Sequence, residues 1–256
     1  MILVLSPAKS LDEQRAWPAS VTPTRPEFLA AAATLVRHAK ALDAADLQRL
    51  MSISPALAAL NVERFRRWTK PHRADNARVA AAVFDGDVYT GLDASTWRAA
   101  EYRWAQAHIR ILSGLYGVLR PLDLIKPYRL EMGVRWRTDA FDGLCDFWGA
   151  RPTKAIARDL ATHPDATLVN LASDEYFGVI RPDRLPGAVI KPVFREKRGT
   201  SYQVISFAAK KARGLMARYA VEHRLKSPAG LRAFDVDGYR FDAQRSSERE
   251  WVFLRD

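Results

Sequence analysis

One stretch limits the possible folds of this chain more than any other. From His108 to Trp136 it reads H-I-R-I-L-S-G-L-Y-G-V-L-R-P-L-D-L-I-K-P-Y-R-L-E-M-G-V-R-W. An apolar helix end runs into a glycine-punctuated turn and then two prolines, with Arg110, Arg120, Lys126, Arg129, Glu131 and Arg135 set among large apolar residues. Charges in such company can be buried only if they are paired and hydrogen-bonded. Within the stretch, I-L-S-G-L-Y-G-V-L has the rhythm of a helix-hairpin-helix turn. There, Gly114 and Gly117 would free main-chain amides for a phosphate, and a second helix would point its positive end at the same anion. The alternative is a packed turn whose glycines only permit close backbone contact. Pro121 would break a continuing helix unless it starts a new one.

Of the 256 residues, 48% are hydrophobic, enough to fill a core. No apolar run approaches the roughly 18 residues of a membrane span, so no membrane association is expected. The opening M-I-L-V-L-S-P has neither the basic segment nor the apolar length of a secretory signal, and the cytoplasm is the expected location. The single Cys145 excludes an internal disulfide and is expected to be buried. Five scattered histidines show no metal-helix spacing, so no metal or cofactor is expected. The formal net charge is +11, and arginines outnumber lysines threefold. This suits bidentate phosphate recognition, or else is a generally basic surface.

Met1 to Leu5 is a short apolar run that predicts a buried strand, with Pro7 to Ser10 in the loop at its end. P-A-K-S lacks the glycines of a nucleotide-triphosphate loop, although Lys9 could still meet an anion. Helical spacing begins at Pro26, Asp43 caps a second helix, and Ser54-Pro55 opens a third that carries Arg64, Arg66 and Arg67. Beyond these we expect a helix from Asp75 to Phe84, a strand at Val88 to Thr90, and a helix from Asp93 or Ser95 through Leu112. A further helix is expected around Phe147 to Leu160. A-T-L-V-N-L-A-S, Ala188 to Phe194, Tyr202 to Ala208 and Trp251 to Leu254 read as strands, and Ala209 to Arg224 as a helix. Helices and strands alternate irregularly, without repeats or a linker. The expectation is one α+β domain over residues 1–256, an irregular sheet with surrounding helices.

Three places carry candidate chemistry. K-K-A-R-G-L-M-A-R-Y offers Lys210, Lys211 and Arg213 on a helix, either as an anion site or as a solvated face. N-L-A-S-D-E-Y puts Asp174 and Glu175 at a strand end, where Ser173 would cap a short helix. Glu131 either locks Arg129 by pairing or acts as a general base. With Glu131 or Glu175 as the base and Lys9, Lys191 or Arg129 holding an anion, that second role would make an enzyme of a small phosphorylated or nucleotide-like substrate. No nucleophile stands at a diagnostic spacing from a base.

M-I-L-V-L-S-P-A-K-S-L, G-D-V-Y-T-G-L, L-S-G-L-Y-G-V-L-R-P-L-D-L-I-K-P-Y-R-L-E-M-G, N-L-A-S-D-E-Y, I-K-P-V-F and A-K-K-A-R-G-L-M-A-R-Y together resemble the YaaA family of bacterial peroxide-stress resistance proteins. The likeness is ordered and runs from residue 1 to about residue 242. It implies a cytoplasmic DNA-binding protein that limits iron-linked damage under peroxide stress. The implied fold is α+β, with a basic cleft and a helix-hairpin-helix-like element. On this sequence the hairpin falls at Leu112 to Leu119. Charge and motif position then make Lys9, Arg120, Arg129, Lys191, Lys210, Lys211 and Arg213 the candidate cleft cations, contacting mainly DNA phosphates. The Arg-rich composition outside the motifs is the departure that could shift where DNA lies.

Overall fold

The strand read at the N-terminus is the centre of the molecule. In the computed structural model, which describes residues 1–256, β1 (Ile2–Leu5) is buried along its whole length. An unbroken apolar run is what a strand covered on both faces requires. It pairs in parallel with β2 (Ile109–Ser113) on one side and β4 (Leu168–Leu171) on the other. Next to β4 comes β5 (Val189–Arg198), then β8 (Glu250–Arg255), both parallel to it. Three antiparallel strands finish a mixed eight-stranded sheet: β3 (Gly117–Leu119) beside β2, β6 (Ser201–Gln203) beside β5, and β7 (Arg240–Asp242) beside β8. The architecture is α+β, as expected, and its apolar residues form one connected core.

The helix starts follow local rules where side chains supply the cap. Asp43 and Asp46 form a reciprocal capping box at the head of α2 (Ala44–Met51), and Ser54 caps α3 (Pro55–Arg67), with Pro55 in its first turn. Between them Ser52 takes a left-handed conformation (φ 51°), so only residues 52–54 separate the two helices. The helix α1 (Leu29–Ala39) starts three residues after Pro26. No helix is long and apolar enough to cross a membrane.

Several expectations are corrected. Leu112 to Leu119 is no helix-hairpin-helix element but the β2–β3 hairpin, with Ser113 in register with Gly117. Its residues are buried on both faces, so helix-like apolar spacing and a buried strand look alike here. Gly117 turns the chain at φ +72° against the Trp148 ring, while the Gly114 carbonyl accepts from Trp148 Nε1–H at 2.9 Å. Both glycines serve packing. The G-D-V-Y-T-G-L segment is a helix, α4 (Asp87–Leu92), not a strand. The helix expected from Asp75 shrinks to one turn, Ala80–Val83. The one expected through Leu112 is α5 (Ala99–His108), whose chain then becomes β2. The helix around Phe147 to Leu160 breaks at Gly149 into α6 (Leu144–Trp148) and α7 (Arg151–Leu160). Of Tyr202 to Ala208 only β6 is strand, and α8 (Ser206–Glu222) has begun by Ser206. Cys145 is exposed, not buried.

Beneath the hairpin lies a buried histidine. His72 Nε2 accepts the Tyr116 hydroxyl at 3.0 Å, and burial, helped by the Lys126 ammonium, lowers its pKa to about 4. The folded value lies below that of the unfolded chain, near 6.5. The stabilising contribution is therefore present above pH 6.5 and is lost as pH falls toward 4. Stability should drop by about 2 kcal/mol between pH 6.5 and 5 on this account, with an NMR titration placing His72 near 4. A His72 midpoint near 6.5 would refute it.

Candidate functional site

The carboxyl ends of the parallel strands gather at one edge of the sheet. Because β2 and β4 flank β1 on opposite sides, the connections diverge there, the place where open parallel sheets leave a crevice. The loop after β1 is tied down first. The Ser6 hydroxyl accepts the Ser173 amide at 2.9 Å, and the Ser6 carbonyl accepts the Tyr89 hydroxyl at 3.0 Å. This holds the segment that presents Lys9 beside the Asp174–Phe177 turn that follows β4. Ser173 occupies the cap position of that turn but makes no side-chain capping bond.

A strap from Tyr128 to Gly133 crosses the same edge. The Tyr128 and Ser113 hydroxyls share a 2.6 Å hydrogen bond, and Gly133 N–H donates to Glu175 Oε1 at 3.1 Å. The strap passes so close to β2 that a side chain at Gly114 would place its first carbon 2.2 Å from the Leu130 carbonyl oxygen. The central motif therefore needs its first glycine for close approach, not to bind phosphate. Burial pushes the hydroxyls of Tyr89, Tyr128 and Tyr176 above their ordinary pKa values, so all three remain neutral.

Glu131 is where the strap and the β1 loop meet. Its Oε1 accepts Arg129 Nε–H at 3.1 Å and lies 3.3 Å from the Lys9 ammonium. The Glu131 side chain is 9% exposed, against 64% for Lys9. Its other oxygen, Oε2, is buried without a partner. Glu131 therefore does lock Arg129, yet half of its accepting capacity is unused.

Of the predicted residues, Lys9, Arg129, Glu131, Asp174, Glu175, Lys191 and Arg213 share this edge. Lys191 pairs with Asp174 at 2.7 Å. Arg213, on α8, feels the same carboxylate, while burial lowers its pKa. The other predicted cations lie elsewhere. Since β3 runs antiparallel to β2, Arg120 leaves toward the opposite edge, where it binds Asp123 at 3.0 Å. Lys211 pairs with Asp237 at 3.3 Å, and Lys210 is exposed on α8. Two residues were not among the predicted site residues. Arg49 from α2 and Arg135 join Lys9, Met51, Val134 and Glu131 around an open depression of about 430 Å³. Ser54-Pro55 marked the start of α3 but not what the turn before it would face.

The family model described as peroxide stress protein YaaA matches residues 1–245. The chain belongs to the YaaA family. Similar YaaA-family chains include UPF0246 proteins of Ralstonia nicotianae and Azoarcus. The first is 50% identical over 255 residues, covering 100% of this chain and 99% of that one. The second is 49% identical over 259 residues, with 100% and 99% covered. A UPF0246 protein of Janthinobacterium is 47% identical over 255 residues, covering 100% of this chain and 98% of its own. Membership of a YaaA family described by peroxide stress supports a role in that response.

Proposed function

We propose that this chain acts under peroxide stress by binding DNA through its phosphates, with little reading of base identity, at the carboxyl edge of the sheet. The observation that carries the reading is the cationic rim of the depression. Lys9, Arg49 and Arg135 reach it from three separate segments and outnumber the Glu131 and Glu175 carboxylates that also line it, on a chain of net charge +11. Cations placed this way neutralise a phosphate backbone and release its counterions, whatever the base sequence. The short turn between α2 and α3 supplies a second element on the same rim, since Ser52 lines it. Such a hairpin points a helix N-terminus, and its partial positive charge, toward phosphate. The depression is open rather than closed, which suits a backbone laid across it better than an enclosed substrate. Limiting iron-linked damage then follows from covering DNA.

Replacing Lys9, Arg49 and Arg135 together by alanine should weaken binding to a similar extent for unrelated duplex sequences. The salt dependence should flatten by about 0.9 in the slope of log K against log salt for each contact removed. Arg158→Ala, an exposed residue paired with Glu27 near the opposite edge, should change little. Unchanged affinity in the folded triple variant would remove the rim from the interface.

A further inference from the structure

We infer that Phe207, flanked by Val204, is a wedge that enters between adjacent base pairs of a duplex bound at the carboxyl edge and kinks it there. The inference rests on the DNA-binding reading and adds a distortion of the duplex that phosphate contacts alone do not require. Phe207 and Val204 are the most exposed large apolar side chains of the chain, at 64% and 55%. Either alone would be ordinary on a protein surface. They stand three positions apart, however, where β6 gives way to α8, and the fold carries that junction outward from the edge. β4 ends at Leu171 and pairs its Val169 with Ile190, whereas β5 continues to Arg198. The β5–β6 hairpin therefore runs past the carboxyl end of β4 by about 20 Å of strand. β6 returns only to Gln203, opposite Glu196, before α8 begins at Ser206. From there α8 descends to bring Arg213 to Asp174. At the rise of a helix, Phe207 stands about 9 Å farther out than Arg213.

Charge selects the occupant. From Arg195 to Lys211 the chain carries five cations and one carboxylate, Glu196. Lys210, one helical turn along from Phe207, is exposed and forms no ion pair. Lys211 pairs with Asp237 at 3.3 Å, while Lys197 and Arg198 near the hairpin tip hold only long, exposed pairs, 3.7 Å to Asp256 and 3.9 Å to Glu196. An apolar ring among cations matches a duplex, which presents base faces between two rows of phosphates. A protein partner fits less well. A stable interface takes about 800 Å² from each side, far more than two side chains offer, whereas one inserted ring parts a base step. The Asp174–Phe177 turn joins this place to the rim, since Glu175 lines the depression and Asp174 holds Lys191. A duplex laid along the edge from the rim therefore passes the start of α8.

The test reads shape, not affinity: energy transfer between dyes at the two ends of a duplex of about 20 base pairs, at saturating protein. The wild-type protein should kink the duplex by about 20° or more, and Phe207→Leu, which keeps an apolar wedge, should do the same. Phe207→Ala should leave the duplex straight. Its slope of log K against log salt should match the wild type, because no cation is removed. The side chain is exposed, so neither substitution opens a cavity in the core. Binding without a kink in the wild type, an equal kink with Phe207→Ala, or none with Phe207→Leu would overturn the wedge and leave the phosphate reading standing. Absence of duplex binding at low salt would overturn both. Sedimentation of the free proteins and flotation with phosphatidylserine vesicles cover the other occupants. A wild-type dimer that Phe207→Ala converts to a monomer would give this face to a second copy, and vesicle binding lost only in that variant would give it to a membrane; either result would overturn the wedge.

Discussion

Gly214→Leu should destabilise the protein by about 3–4 kcal/mol, among the larger losses expected from one substitution. The helices α8 and α4 cross with backbone against backbone, and a first side-chain carbon at Gly214 would lie 1.8 Å from the Val88 carbonyl oxygen. The contact is reciprocal, for a side chain at Gly91 would come within 2.2 Å of the Lys211 carbonyl oxygen. Neither neighbour can turn aside, because each is main chain. Leucine has a better intrinsic helix propensity than glycine by about 1 kcal/mol, so any observed loss understates the packing cost. Gly178→Ala is the matched comparison, where the nearest atom would be at an ordinary 3.4 Å. Denaturant midpoints at unchanged m-value measure both. A loss under about 1 kcal/mol for Gly214→Leu would mean that the helices are not held at backbone contact. The consequence reaches the functional edge, since α8 is also the element that brings Arg213 to Asp174.

Removing a single oxygen in Tyr116→Phe should cost about 3 kcal/mol or more. That hydroxyl accepts Trp68 Nε1–H at 2.9 Å and the Lys126 amide at 3.1 Å, and it donates to His72 Nε2 at 3.0 Å. Phenylalanine fills the same space and strands all three partners in a buried setting, where each unmet group costs about 1–3 kcal/mol. The three connect α3, the segment leading to the strap, and the β2–β3 hairpin, so the variant should loosen the strap that carries Glu131. Thermal and urea unfolding would check the loss. A change below about 1 kcal/mol would show that water replaces the hydroxyl.

How much of this was legible in the residues depends on where the deciding force acts. β1 and the caps at Asp43 and Ser54 were readable because local pattern and short-range hydrogen bonds determine them. The convergence of Lys9, Asp174 and Glu175 was readable in part, since each follows a strand that could be recognised. The hairpin at Gly114 and Gly117 was not. In a strand buried on both faces the alternation that separates strand from helix is gone, and glycines tolerate either outcome. For α4, Val88, Tyr89 and Thr90 favour a strand locally, and docking against Gly214 outweighs that preference. Arg49 and Arg135 lie 86 positions apart and meet only through the tertiary fold, so neither spacing nor motif announced that they share a site, although Arg135 stood within the central stretch.

The central claim, that the carboxyl edge of the sheet meets phosphates, is tested most directly by the salt dependence of duplex binding. Affinity for one labelled duplex should fall linearly on a log–log scale between about 50 and 200 mM salt. With Lys9, Arg49 and Arg135 engaged, the slope should be about −3 or steeper. A slope near zero, or no binding at about 50 mM salt, would contradict it.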